Sequence, residues 1–218
     1  MRHRRGRAPR LSVLARLQRG LETLYRIESQ LAIDAFVINA ASRAALATAR
    51  TPREQLLVRE DNDELGMALF VDAAALSNLE RHDPAARLDD RNFTDFCLAV
   101  EGVSHFVYVA RCAAAERCVS PLELELQAEV DKFICCWMLV GTAEQLRRRL
   151  YGDVIYADDL NDDERDRYRT ANQEASRYTR VLVRQFVERR QTDAMLSELR
   201  RFYRMDLADK LGHIARLS

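Results

Sequence analysis

Apolar residues recur at helical spacing from the start of the chain: Leu14, Leu17, Leu21, Leu24, Ile27, Leu31 and Phe36 follow a 3.6-residue period. The pattern predicts a first helix that opens near Leu11 or Ser12 and runs, with a bend, toward Ala45. Thr51-Pro52-Arg53-Glu54 then has the form of a capping box with Pro at the first helical position. Beyond it the period changes. Leu56, Leu57 and Val58 precede the polar Asp61-Asn62-Asp63, after which Leu65, Met67, Leu69 and Val71 alternate with Gly66, Ala68 and Phe70. Alternation on both sides of a turn cluster predicts a β-hairpin near 55–72. Two strands are marginal alone, so the hairpin must lie on a helical core or extend a partner's sheet. A short helix from Ala73 to about Arg81 follows.

The strongest signals lie in the middle of the chain. Residues 92–117 read as one long helix in which Glu101, Ser104 and His105 are the hydrophilic positions between Phe96 and Ala110. A helix apolar nearly all round is a buried central one. Ser120-Pro121-Leu122-Glu123 combines a capping box with Pro and opens a second helix, with Leu122, Leu126, Phe133 and Trp137 on one stripe and a stop at Gly141. The short connection makes the two an antiparallel pair. Another helix spans 142–151 and an acidic loop follows. Asn161 to Glu164 caps a helix running to Arg190, with Tyr168, Ala171, Ala175, Tyr178, Leu182 and Phe186 as core contacts. Helices at 193–203 and 205–217 close the chain. No internal repeat or sustained heptad is present. The fold class is mainly α: a helical bundle of about six or seven helices with one inserted β-hairpin, as a single domain over 11–218 behind a disordered basic arm at 1–10.

Composition supports this. Seven Gly and four Pro in 218 residues are few for a strand-rich fold, and 48% hydrophobic content supplies a sizeable core. The 34 basic residues balance 34 acidic ones, so the chain lacks the basic excess of a dedicated nucleic-acid binder. Arg is the rule and Lys occurs only as Lys132 and Lys210, a bias that reads as a GC-rich, bacterial genome. The five cysteines form no C-x-x-C pair, which excludes zinc-ribbon and thioredoxin-type sites and predicts reduced, mostly buried thiols in a reducing compartment. No stretch is expected to reach the length of a membrane span, and Arg16, Arg19 and Glu22 interrupt any secretory signal. A cytoplasmic location is the expectation.

Four constellations carry candidate chemistry. Glu101 and His105 share a helix face, with Cys97, Tyr108 and Cys112 on the same stripe; such a pair can be a general acid/base couple or half a metal site. Glu125 and Glu129 lie one turn apart on the next helix, with Lys132 beyond them. If the helices pair, these carboxylates face Glu101 and His105 and complete a metal site; the alternative is a charged helix edge with an intrahelical ion pair. The helical spacing departs from the Glu-x-x-His of di-iron bundles. The acidic run Asp153, Asp158, Asp159, Asp162, Asp163 and Glu164 lacks EF-hand spacing and suits a helix N-terminus. Finally, Arg2, Arg4, Arg5, Arg7 and Arg10, with Arg180, Arg184, Arg189, Arg190, Arg200, Arg201 and Arg204, could grip nucleic acid or an acidic partner, although acids are interleaved with the later arginines. A Cys118–His105 dyad is conceivable from helix pairing. P-loop, dinucleotide, zincin and nucleophile-elbow motifs are absent. These readings favour an intracellular interaction or regulatory protein. The alternatives are a metal-binding protein or enzyme using the Glu/His cluster, and a nucleic-acid-associated factor using the arm.

Overall fold

The computed structural model describes residues 11–46, 52–61, 64–152, 154, 156 and 159–217. The basic arm with Arg2, Arg4, Arg5, Arg7 and Arg10, as well as Thr51, Asp153 and Asp158, lies outside the described residues. The protein is mainly α, with nine α-helices and one small sheet among the described residues. The helices are α1 (Val13–Tyr25), α2 (Ala40–Leu46), α3 (Ala73–Arg81), α4 (Phe93–Ala114), α5 (Pro121–Val140), α6 (Ala143–Tyr151), α7 (Asp162–Leu182), α8 (Thr192–Arg204) and α9 (Leu207–Leu217). The strands are β1 (Val37–Ile38), β2 (Glu54–Asp61) and β3 (Glu64–Val71).

The expected hairpin is β2–β3, paired antiparallel from Glu54↔Val71 to Asp61↔Glu64. The first helix, by contrast, does not run toward Ala45. It ends at Tyr25, where Arg26 turns left-handed at φ 52° and its N–H closes on the carbonyls of Glu22 and Thr23. The Gln18 side chain then ties the departing chain down, donating to the Leu31 carbonyl and accepting from the Ile33 N–H at 3.0 Å. The freed segment supplies β1, which pairs parallel to β3 through Val37↔Leu69 and Ile38↔Phe70, giving the order β1-β3-β2. Splitting this segment into α1 and α2 is one reason the helices exceed six or seven. The capping box expected at Thr51–Glu54 is also overturned: Pro52 leads directly into β2, and Glu54 is a strand residue.

α4 is the central helix and packs against α1, α3, α5 and both long strands. Its Val100, Val103, Phe106 and Val107 are fully buried, each worth roughly 1.5–3 kcal/mol of apolar transfer. The expectation that no stretch reaches a membrane span needs correction here. Phe93–Ala114 is long and apolar enough by composition, and 72% of its most apolar window is buried inside the fold. α5 packs against α4, α6 and α7. α7 passes at its C-terminal end into one π-helical turn, Val183–Val187, and does not continue as an α-helix to Arg190. One continuous core runs from Val13 to Ile214. Its aromatic part includes Tyr25 stacked on Tyr203 at 3.8 Å and Tyr178 on Phe202 at 4.0 Å.

Candidate functional site

The antiparallel pairing of α4 and α5 brings the two predicted carboxylate stripes together. Lys132 donates from α5 to Glu101 of α4 at 3.0 Å and to Glu129 of its own helix at 2.6 Å. One turn along α4, His105 lies between two carboxylates: Nε2 is 3.6 Å from Glu125 and Nδ1 is 3.6 Å from Glu54. These are ion-pair distances beyond hydrogen-bond reach, and Nε2 has no hydrogen-bond partner. Glu54 was not expected here. It arrives from the start of β2 because α4 carries Gly102 where the sheet crosses it. A Cβ on Gly102 would meet Glu54 Cγ at 3.0 Å, Oε1 at 3.1 Å and Leu69 Cδ1 at 3.2 Å.

The charges of this cluster follow from burial set against pairing. Burial pulls the His105 pKa down, but Glu125 and Glu54 outweigh it and hold the imidazolium well above the ordinary range. Burial opposes the charge of Lys132 as well, and Glu101 and Glu129 keep its pKa well above normal. Burial works against the Glu101 carboxylate, yet the Lys132 ammonium brings its pKa below the usual value. Burial raises Glu54 and Glu129. Tyr168 of α7 stands in the same field; burial and then Glu125 and Glu101 push its phenol upward. Tyr151 of α6 donates to the Glu129 carbonyl at 2.9 Å.

This is a buried ion cluster drawn from β2, α4 and α5. Its His105 stands between the Glu54 and Glu125 carboxyl groups at ion-pair distance. A cation between Glu101 and Glu129 is already present as Lys132, so the predicted intrahelical ion pair exists, but inside the protein and shared with α4. Among the described residues, no group of three or more His, Cys, Asp or Glu is arranged to hold a metal ion. Gly102→Ala should disturb the cluster. Overpacking of about 1–3 kcal/mol is set against a helix-propensity gain of about 1 kcal/mol, and because Leu69 is fully buried a net loss of about 1 kcal/mol is expected in urea unfolding. A stabilised variant would mean that Glu54 swings aside freely.

Two members of the predicted α4 stripe belong elsewhere. Tyr108 and Cys112 turn toward a second buried network that sequence reasoning missed. Lys210 of α9, fully buried, donates to Tyr108 Oη and Gln127 Oε1, each at 2.8 Å. Tyr108 donates to Glu123 at 2.6 Å, and Arg117 donates to Glu123 at 2.8 Å and to Cys112 Sγ at 2.9 Å. Asp131 accepts from Ser104 at 2.6 Å, from Gln127 at 2.9 Å and from the Tyr25 hydroxyl. Burial lowers the Lys210 pKa to about 7 against the pull of Glu123 and Asp131. It raises Asp131 to about 6 despite its three donors. The engagement of Glu123 explains why the Ser120 box is only half made: Ser120 accepts from the Glu123 N–H, but the Glu123 side chain is spent on Tyr108 and Arg117.

The remaining candidates separate. Cys118 is exposed beyond α4 while His105 faces Glu54 and Glu125, so no dyad forms. All five cysteines are free. Asp162, Asp163 and Glu164 fill the first turn of α7, with a complete Asn161–Glu164 capping box. Arg200 and Arg204 donate to the Leu24 and Tyr25 carbonyls at the end of α1, and Arg201 pairs with Glu198. No family model, curated protein or solved structure matches the chain.

Proposed function

We propose that the chain is a non-catalytic interaction or regulatory protein that docks an extended segment of a partner protein along the outer edge of β2. The observation that carries this reading is the sheet order, which among the described residues leaves the eight-residue β2 at an edge. The bond from the Asp72 N–H to the Arg53 carbonyl sets the phase of the ladder. With that register, residues 53, 55, 57 and 59 pair toward β3, and the backbone groups of Leu56, Val58 and Glu60 point outward.

The side chains of the same strand define what would dock. Glu54 and Leu56 share one face, on which Glu54 meets α4. That face continues along the hairpin to Val58 and, across the ladder, Leu65, which are 47% and 37% exposed. The apolar face therefore extends past its helical cover. An added strand would satisfy the open backbone groups and place alternate apolar side chains over Val58 and Leu65. The buried Glu/His cluster at the base of the hairpin then acts as an anchor for the docking strand.

Val58→Pro tests this. Proline removes an outward N–H and no ladder bond, so it suits an edge position, and the variant should fold with a stability change of about 1 kcal/mol or less. Quantitative capture from the source cells should then recover specific partners with the wild type and lose them with Val58→Pro. Partners held equally by both proteins would overturn the edge assignment, and a wild type that captures none would overturn the interaction reading.

A further inference from the structure

Several exposed arginines of the C-terminal half gather around one concavity. A cavity of about 660 Å³ lies beside the end of α7, lined by Arg177, Arg180, Arg184 and Arg189 together with Glu188 and Leu217, among others. Arg177 is held by Glu174 at 2.7 Å. Arg180, Arg184 and Arg189 make no side-chain hydrogen bond or ion pair among the described residues, whereas Arg16, Arg53, Arg91, Arg117, Arg147 and Arg201 each hold a carboxylate. We infer that this cavity binds a small ligand carrying two or more phosphate groups.

Three features point to that chemistry. Arg177, Arg180 and Arg184 follow one helical face, so their guanidinium groups spread over about 10 Å along the axis. That span matches several linked anionic groups better than a single one. Like charges one turn apart repel by a few tenths of a kcal/mol, so the unliganded face is electrostatically unfavourable and an anion relieves it. Guanidinium forks are also the side chains best matched to phosphate oxygens.

The π-helical turn is a separate observation. Glu188 N–H bonds to the Val183 carbonyl and Gln191 N–H to Phe186, each five residues back. The extra residue in that turn advances the register, bringing Arg189 onto the face that Glu188 would hold in an unbroken α-helix. Such turns occur frequently at functional sites. A volume of about 660 Å³ falls in the range of small-ligand pockets and is bounded by the partly buried Leu217 of α9. This site is remote in sequence from β2, and its existence does not depend on strand docking.

Titration calorimetry with inorganic triphosphate tests the assignment. The wild type should bind saturably. Arg180→Gln/Arg184→Gln should weaken binding at least tenfold while leaving the unliganded unfolding midpoint no lower than the wild type's. Glu188→Gln should tighten binding by removing the one carboxylate that lines the cavity among the described residues. Absence of saturable binding, or equal binding by the double variant, would overturn the site. Orthophosphate binding as tightly as triphosphate would overturn the requirement for linked phosphates. A single-stranded oligonucleotide binding more tightly than triphosphate would overturn the small-ligand assignment in favour of a nucleic-acid surface.

Discussion

Lys132→Met is expected to destabilise the protein by about 3 kcal/mol, the scale for removing one partner of a buried ion pair and stranding the other. The side chains of Lys132, Glu101 and Glu129 are only 13%, 23% and 16% exposed, so water cannot take over the ammonium's part. Without it, the Glu101 carboxyl loses the interaction that lowers its pKa, and Glu101 and Glu129 oppose each other across the α4–α5 contact. The loss should therefore be larger at neutral pH than at pH 5, where a proton can replace the ammonium. Adding Glu101→Gln and Glu129→Gln to Lys132→Met should recover most of the stability, since neutral amides need no counter-charge. Lys132→Arg should not rescue, because a planar guanidinium cannot take the place of a point charge held between two carboxylates. The same variant tests the metal reading. With the ammonium gone, Mn²⁺ or Zn²⁺ should raise the unfolding midpoint of Lys132→Met by mass action if the carboxylates can hold a divalent ion. No shift at millimolar metal removes that reading.

The meeting of Glu101 and His105 with Glu125 and Glu129 was legible because helix period and a short α4–α5 connection suffice to place it. Glu54 was not legible. Its arrival depends on strand pairing and on the close approach at Gly102, neither of which leaves a local pattern, and the Thr51–Glu54 motif pointed to a helix. The split of the α4 stripe had a subtler cause. Residues 101, 105, 108 and 112 stay close to one face, but 11 residues span about 16 Å along the helix axis, so Tyr108 and Cys112 lie beside Glu123, Arg117 and Lys210 and not beside Glu54 and Glu125. The two-residue β1 is too short to carry a period at all. One signal was available and unread: in a chain that uses Arg almost everywhere, the only two lysines, Lys132 and Lys210, are both buried at the centre of an ion network. A compact ammonium fits where a guanidinium does not, so a rare lysine marks an enclosed site.

Lys210 should also leave its signature on the pH dependence of folding. Its folded pKa is about 7 against an ordinary 10.5. Between those values the unfolded chain binds a proton that the folded chain lacks, so this group makes stability rise with pH across that window. Below about pH 7 its full cost, on the order of 5 kcal/mol, is present. His105 acts in the opposite sense. Its folded pKa is raised above 6.5, so its contribution is complete below 6.5 and is lost as pH rises through the folded value. Asp131 acts lower down: raised from 3.8 to about 6, it makes stability fall as pH rises between those values, by up to roughly 3 kcal/mol. Above pH 7 the wild-type curve is thus a difference of opposing slopes. Single variants separate them. Relative to wild type, Lys210→Met should lose the rising component, so that its stability falls with pH, while His105→Gln should lose the falling one and rise. Urea unfolding of the three proteins at half-unit pH steps measures both. Parallel curves for Lys210→Met and wild type would mean that the ammonium stays charged in the fold, with Tyr108, Gln127 and the nearby Glu123 and Asp131 holding it as an ion and not as a neutral amine.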